Sequence, residues 1–228
     1  MEGSGFFLPA LNAIILFNLI NTTKMENTTL TQAQKQFRLG KFSGSEIHKL
    51  MGAKGFGKTG ETYIFEKAAE FLTGEPIKPE FTAASTSWGI DHEKEAKLYF
   101  ESATGLKVLD GDTIENDQMV GTPDGFVDGK AIGFEIKCPF NSGNHLKNLS
   151  MKSQDDLLDL RPEYYWQCMT YMWLTNFPEW KFCSYDPRFK EEKRMLILNL
   201  KQRDDHRDLL MMRVLQAKEM FKQIISNL

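Results

Sequence analysis

A series of short apolar stretches separated by tight turns runs from Lys107 to Cys138, and it constrains the fold more than any other feature of the sequence. Val108, Ile114 and Val120 fall in separate stretches, and Asp-Gly pairs interrupt the series. This pattern is typical of consecutive strands joined by tight turns. The centre of the protein is therefore predicted to be a sheet.

Helical patterns lie on both sides of this sheet, so we expect an α+β fold with a central mixed β-sheet flanked by helices. Before the sheet, the sequence predicts a short helix opened by a Ser43-x-x-Glu46 capping box, a helix through Tyr63 and Leu72 that ends at Gly74, and a longer helix over 87–103. After the strand 132–138, it predicts a helix from Pro162, strands around Phe182 and over 196–200, and an amphipathic helix from about Asp204.

The length of 228 residues favours one domain with a single core, which we place at 25–228. The stretch from Phe6 to Ile20 is almost continuously apolar, but it is short for a bilayer span and no basic residue precedes it. Because Met25 begins an ordinary polar segment, we interpret residues 1–24 as an upstream or disordered leader, with a membrane anchor as the alternative. Three cysteines at spacings that match no zinc site favour a reducing, cytoplasmic compartment.

The formal net charge of -3 gives no sign of a nucleic-acid partner, so any DNA contact must come from a local basic surface. Residues 24–60 contain seven basic side chains against two acidic ones. A solvated surface is the alternative interpretation of such a run. The basic residues are Lys24, Lys35, Arg38, Lys41, Lys49, Lys54 and Lys58.

Candidate catalytic residues lie in the strand 133–138, where Glu135 and Lys137 share one face because side chains alternate along a strand. Asp124 lies in the tight corner 122–125 at the start of the facing hairpin, from which it could reach the same point. Two converging carboxylates repel each other unless a cation lies between them, and hard oxygen ligands suit Mg²⁺. Lys137 would then position a nucleophile or stabilise charge on a phosphate. A structural ion pair is the alternative for Glu135 and Lys137.

The chain resembles the lambda-type, YqaJ-like phage recombination exonucleases of the PD-(D/E)xK nuclease superfamily. The resemblance rests on several short blocks that occur in the same order over about 150 residues. These blocks are Arg38-Leu39-Gly40-Lys41, Trp88-Gly89-Ile90-Asp91-His92-Glu93, Thr122-Pro123-Asp124-Gly125, Glu135-Ile136-Lys137-Cys138-Pro139-Phe140, Tyr165-Trp166-Gln167 and Tyr185-Asp186-Pro187-Arg188.

The resemblance implies a restriction-endonuclease-like fold and a metal site for two Mg²⁺ ions, which Mn²⁺ could replace. It implies that Asp124, Glu135, Glu93 and the backbone carbonyl of Ile136 are metal ligands, and that Gln167 contacts the metal-bound water or the scissile phosphate. An exposed helical glutamate is the alternative for Glu93, and a hydrogen-bonded core amide is the alternative for Gln167. His92 could be a further ligand, but a packed or hydrogen-bonded histidine is the favoured interpretation.

The same resemblance assigns Arg38 and Ser45 to a pocket for the 5′-terminal phosphate of the digested strand. A guanidinium binds phosphate through two parallel hydrogen bonds, and a hydroxyl near a helix N-terminus adds a donor where anions are already favoured. Ser43 competes with Ser45 for this role, although it is also the predicted N-cap.

The implied activity is a Mg²⁺-dependent 5′→3′ exonuclease that degrades one strand of linear double-stranded DNA and leaves 3′ single-stranded overhangs for recombination. Double-stranded DNA ends, a ring-shaped homotrimer and a single-strand annealing protein are the implied partners, with no membrane. An endonuclease of the same superfamily and a non-catalytic DNA-binding relative are the alternatives.

The segment from Gly52 to Thr59 matches the phosphate-binding loop pattern G-x-x-x-x-G-K-T of nucleotide hydrolases. Such a loop follows a buried strand, whereas the residues before Gly52 are predicted to be helical. We therefore favour a DNA-backbone contact for Lys54 and Lys58 over nucleotide binding.

Overall fold

A computed structural model describes residues 38–77 and 84–228, with the side chains of the second range described from 87 onward. These residues belong to one compact unit over 35–228. The predicted leader 1–24 lies outside them, as do Lys24 and Lys35 of the basic run.

The order of the helices and strands follows the predicted α+β pattern. They are β1 (Phe42–Ser43), a 3-10 helix (Gly44–Leu50), α1 (Gly57–Thr73), α2 (Ala84–Thr104), β2 (Val108–Asp110), β3 (Ile114–Glu115), β4 (Met119–Gly121), β5 (Gly125–Val127), β6 (Ile132–Lys137), α3 (Ser142–Asn148), α4 (Gln154–Leu160), α5 (Pro162–Thr175), β7 (Glu179–Tyr185), a 3-10 helix (Glu191–Lys193), β8 (Met195–Lys201) and α6 (Asp204–Ser226).

The strands form two sheets where the sequence predicts one. Five strands lie in the order β2-β5-β6-β7-β8, with β6 and β7 parallel and the other pairs antiparallel. The central sheet is therefore mixed, as predicted. Three short strands form a second sheet in the order β1-β4-β3, in which β1 runs parallel to β4. This small sheet brings the segment around Ser43 to the strand that leads into the corner at Asp124.

The predicted capping box is wrong. Ser43 occupies the N-cap position, but its side chain makes no capping hydrogen bond, and the helix that follows is a 3-10 helix. The Ser43 hydroxyl instead pairs with that of Ser45 at 2.9 Å, and Glu46 forms a 2.6 Å ion pair with Lys49. The groups needed for the reciprocal cap therefore have other partners. By contrast, Gly74 ends α1 in the left-handed conformation, as predicted.

Helices cover both faces of the central sheet. On one face, Phe100 of α2 packs against Phe134 of β6 with the ring centroids 4.8 Å apart, and Ile136 belongs to the same buried cluster. On the other face, Tyr164 of α5 stacks on Phe182 of β7 at 5.6 Å. Phe182 is the cross-strand neighbour of Glu135, so α5 covers the face to which Glu135 belongs.

In the described part of the chain, no helix combines the length and the apolarity that a membrane span requires.

Candidate active site

A tight corner places Asp124 directly before β5 of the central sheet. A Cβ atom on Gly111 would overlap the carbonyl of Pro123, so only glycine allows this close approach of two loops. The amide of Gly111 also donates to the carbonyl of Asp124 at 3.4 Å. The strand β5 begins at the next residue, Gly125, and pairs with β6.

The hairpin joins Asp124 directly to the strand that carries the other two candidate residues. Asp124 Oδ2 accepts a 2.7 Å hydrogen bond from the backbone N–H of Ile136, between Glu135 and Lys137. Glu135 Oε1 accepts a 2.5 Å hydrogen bond from Lys137 Nζ. Because the side chain of Ile136 packs into the opposite face, Glu135 and Lys137 share one face, as their spacing predicts.

Burial controls the charges of these three groups. The Glu135 side chain is 1% exposed and that of Lys137 is 25% exposed. Burial raises the pKa of Asp124 well above its usual value, and the nearby Glu135 carboxylate raises it further. Burial also raises the pKa of Glu135, against the opposing effect of Lys137. Burial alone would lower the pKa of Lys137, but the carboxylates of Glu135 and Asp124 outweigh it and raise that pKa.

The site contains one buried oxygen atom that lacks a hydrogen-bond partner, and a divalent cation fits there. The second carboxylate oxygen of Glu135, Oε2, is buried and has no hydrogen-bond partner. A buried carboxylate oxygen without a partner is costly, and a cation held with Asp124 would supply one. Among the described residues, no three His, Cys, Asp or Glu side chains form a ready metal cage. The carbonyl of Ile136 lies between Glu135 and Lys137 in sequence, and its role as a further metal ligand remains a prediction.

Glu93 lies at the border of this group. Its negative charge contributes to the raised pKa of both Asp124 and Glu135. Its carboxylate, however, forms a 2.8 Å ion pair with Lys97, which also contacts Asp110 at 3.0 Å. The role of Glu93 as a metal ligand therefore remains a prediction.

His92 is a packed residue, as favoured from the sequence. Its Nδ1 lies 2.9 Å from the carbonyl oxygen of Trp88, and its ring stacks on the Trp88 indole with centroids 3.7 Å apart. Both interactions lie within one helical turn of α2.

Gln167 is hydrogen-bonded in the core, as its alternative interpretation holds, and its role at the site remains a prediction, whereas two tyrosines that sequence reasoning missed contact the Asp124 corner and Lys137. Gln167 is buried and donates to the hydroxyl of Tyr171 at 3.0 Å. The same hydroxyl donates a longer, 3.5 Å bond to the carbonyl of Thr122 in the Asp124 corner. The ring of Tyr164 lies 5.3 Å from Lys137 Nζ in a cation–π contact. The four-residue spacing of Gln167 and Tyr171 on one helix face could have indicated their pairing.

Two glycines leave the space in which the ring of Tyr171 packs. A Cβ atom on Gly44 or on Gly121 would collide with this ring. Gly44 follows β1 and Gly121 ends β4, and these strands pair in parallel with Ser43 opposite Val120. The Tyr171 ring therefore packs against both the serine segment and the segment that leads to Asp124.

The structure brings two of the predicted phosphate-binding residues together. The hydroxyls of Ser43 and Ser45 are 2.9 Å apart, and the amide of Ser43 donates to the Tyr63 hydroxyl at 2.7 Å. Arg38 lies in the turn that precedes β1, where its carbonyl accepts from Lys41. Within the described ranges, no hydrogen bond joins the Arg38 guanidinium to either serine.

The segment from Gly52 to Thr59 lacks the setting of a phosphate-binding loop, because a 3-10 helix rather than a strand precedes it. Lys54 and Lys58 are exposed, as a DNA-backbone contact would require. Next to Tyr63 there is an open cavity of about 310 Å³, lined by Lys49, Lys58, Thr59, Thr62, Tyr63 and Glu66.

Comparison with known proteins finds a matching family model and several similar solved structures. The family model described as "YqaJ-like viral recombinase domain" matches residues 34–178. An alkaline exonuclease from Laribacter hongkongensis, LHK-Exo, has a similar structure with a TM-score of 0.73, 23% identity, and coverage of 86% of this chain and 95% of its own. The same enzyme in complex with dAMP gives a TM-score of 0.74 at 24% identity, with the same coverage.

A phage-related exonuclease from Haemophilus somnus 129PT is also similar, with a TM-score of 0.69, 19% identity, and coverage of 82% of this chain and 96% of its own. No curated protein sequence matches the chain. The similar structures establish that the central sheet and its helices form the PD-(D/E)xK nuclease fold predicted from the sequence.

Proposed function

Because this chain belongs to the YqaJ-like viral recombinase domain family, we propose that it is a Mg²⁺-dependent exonuclease that degrades one strand of linear double-stranded DNA in the 5′→3′ direction. The product would be a duplex with a 3′ single-stranded overhang, suited to recombination. The structures that it resembles are described as exonucleases, and one of them is in complex with dAMP, a mononucleotide.

One observation carries the proposal: the segment of Ser43 and Ser45, the candidate phosphate-binding residues, pairs with the strand that leads to Asp124. The parallel pairing of β1 with β4 places Ser43 next to the strand that leads to Asp124. Tyr171 contacts both segments. An enzyme that cuts only from an end must recognise the end and the scissile bond at once, and neighbouring segments for the two tasks would support such a reaction.

The chain's own residues divide the chemical task. Asp124 and Glu135 would hold the metal, since Glu135 has a buried oxygen without a partner. Bound Mg²⁺ would neutralise the scissile phosphate and lower the pKa of a coordinated water. Lys137, held by Glu135 and by the Tyr164 ring, would donate to a phosphate oxygen or orient the attacking water. Gln167 would contact the phosphate or that water from α5.

The trimeric ring and the annealing partner belong to the same proposal. A ring around the duplex would keep the enzyme on its substrate between cleavages. An annealing protein would use the strand that digestion exposes. Sedimentation analysis of the purified protein tests the first, and co-purification with a single-strand annealing protein tests the second.

The test of function compares three substrates in Mg²⁺ and in EDTA: linear duplex with 5′-phosphate ends, the same duplex with 5′-hydroxyl ends, and a covalently closed circle. We expect digestion of linear DNA only, faster from 5′-phosphate ends, and none in EDTA. Rapid cutting of the circle would favour the endonuclease alternative. Binding without digestion of any substrate would favour the non-catalytic alternative.

The direction of digestion is tested with Arg38→Ala, matched by Arg207→Ala on the surface of α6. Loss of the 5′-phosphate preference in the first variant alone supports the pocket and the polarity. An unchanged preference in Arg38→Ala would remove Arg38 from the pocket.

A further inference from the structure

An exposed aromatic side chain lies immediately beyond the catalytic strand. Phe140 is the third residue after Lys137, and its side chain is 52% exposed. Three residues of extended chain span at most about 11 Å, which equals about three base steps along one DNA strand. A phosphodiester held at Lys137 would therefore have its neighbouring bases within reach of the Phe140 ring.

The backbone at Phe140 is held by a single guanidinium. Arg188 Nη2 donates to the carbonyl of Phe140 at 2.9 Å and to that of Pro139 at 3.2 Å. Nε and Nη2 of the same guanidinium donate to the two carboxylate oxygens of Asp186, each at 2.8 Å. Asp186 is completely buried and directly follows β7. The loop after the catalytic strand is therefore anchored to the sheet through a bidentate ion pair.

The ring itself is supported on one side. The rings of Phe140 and Trp88 meet in a T-shaped contact with centroids 6.0 Å apart. Trp88 is in turn stacked between His92 at 3.7 Å and the Arg188 guanidinium, whose central carbon lies 4.3 Å from the ring centroid. Trp88 and Glu93 lie on the same helix, α2, five residues apart, so one element carries both this support and Glu93.

Single exposed apolar side chains are common on protein surfaces and usually need no explanation. Phe140 differs because its backbone and one side of its ring are fixed while about half of the side chain remains in water. The exposed part of the ring gives the free protein no stabilisation. A planar nucleobase is the ligand that such a ring fits, because every base offers a π-face and stacking requires no particular sequence.

We propose that Phe140, supported by Trp88 and fixed by Arg188, is a stacking residue for a nucleobase of the DNA end next to the scissile phosphate. This inference rests on the proposed function and adds a base-binding subsite to it. Phe140 binds unpaired bases in this role, so it stabilises the open form of the terminal base pairs. Arg188 is a positioning residue, since its guanidinium is occupied by Asp186 and two carbonyls.

The experiment measures DNA binding and base stacking without cleavage, in EDTA. The probe is a linear duplex with 2-aminopurine, whose fluorescence changes on stacking, at the second nucleotide from the 5′ end. The variants are Phe140→Ala and Phe140→Trp, with Leu146→Ala as the matched control because Leu146 is a 61% exposed apolar residue on α3. Thermal unfolding and Mg²⁺-dependent digestion of linear duplex are measured for each protein.

We expect Phe140→Ala to bind the probe about five- to tenfold more weakly and to lose the fluorescence change. Phe140→Trp should restore both, and Leu146→Ala should match the wild type. A duplex with a mismatched terminal pair should reduce the digestion defect of Phe140→Ala, since the open form is then already populated. A merely structural role would instead lower the melting temperature without this substrate dependence.

If Phe140→Ala keeps the wild-type binding and fluorescence change while the wild type digests linear DNA, the stacking inference is overturned and the nuclease function stands. If the wild type neither binds nor digests the linear duplex, the proposed function is overturned as well. Arg188→Lys should weaken the fluorescence change partially, because lysine keeps the charge but cannot hold Asp186 and both carbonyls together.

Discussion

The backbone N–H of Ile136 donates a 2.7 Å hydrogen bond to the carboxylate of Asp124, twelve residues earlier in the chain. This bond ties the acidic corner to the strand of Glu135 and Lys137, so the three charged groups keep one geometry before any substrate arrives. Preorganised charges of this kind cost no reorganisation during reaction.

Asp124→Asn should abolish most of the digestion of linear duplex while the fold is kept. The amide oxygen can still accept from Ile136, but one of the two carboxylates for the metal is lost, so the rate should fall by at least about a hundredfold. Asp128→Asn, in the exposed turn of the same hairpin, is the matched control. Near-wild-type digestion by Asp124→Asn would contradict the assignment.

Gly121→Ala should destabilise the protein and displace the Tyr171 ring. The added methyl group enters space that the ring occupies, which predicts a loss of about 1–3 kcal/mol in the free energy of unfolding, measured in urea. Gly89→Ala is the matched control, since a Cβ atom there meets nothing within 4 Å. This control should be neutral or up to about 1 kcal/mol more stable. Equal stabilities of the two variants would contradict the close approach.

Tyr164→Leu should lower kcat several-fold, whereas Tyr164→Phe should retain most activity. The ring attracts the Lys137 ammonium through its face, an interaction of about 0.5–2 kcal/mol that phenylalanine preserves and leucine does not. Steady-state digestion rates at saturating DNA provide the measurement. Equal rates in the two variants would remove the cation–π contact from the account of Lys137.

Stability should fall as the pH is lowered through the usual titration range of histidine, in part because of His145. This side chain is buried, with Nδ1 2.9 Å from the Ser184 hydroxyl and Nε2 2.9 Å from the Lys193 carbonyl. Burial lowers the pKa of His145 below its ordinary value of 6.5. The unfolded chain therefore takes up the proton first, so the stabilisation present above that pH is lost as the pH falls toward the folded-state pKa.

The measurement for His145 is urea unfolding of the wild type and His145→Gln at pH 8 and pH 5. The wild type should be more stable at pH 8, and the difference between the two proteins should shrink at pH 5. His48 and His206 also have lowered pKa values, so the variant should retain part of the pH dependence. A constant difference between the proteins at both pH values would exclude His145 from the effect.

Local patterns in the sequence predicted the mixed central sheet, its tight turns and the long helices, because turn residues and periodicity act over a few positions. The alternation of side chains also predicted that Glu135 and Lys137 share a face. The capping box failed because Ser43 and Glu46 found partners in Ser45 and Lys49, which the pattern itself could not reveal.

Long-range contacts were not predictable in this way. The strand β1 has two residues, and only its parallel pairing with β4 shows that Ser43 lies near the Asp124 corner. Tyr171 resembles any apolar position of a core helix until Gly44 and Gly121 are seen against its ring. Arg188 belongs to a block quoted for the family resemblance, yet its contacts join segments about 50 to 100 residues away in sequence.

The strand β6 is the middle one of five, so both of its edges are hydrogen-bonded to neighbours. Its amide protons can then exchange with solvent only through openings that disrupt the whole sheet, unlike those of frayed termini or edge strands. Heat inactivation and global unfolding should therefore occur at nearly the same temperature. A molecule that has opened only at its termini or edge strands would still carry Glu135 and Lys137 in their folded arrangement.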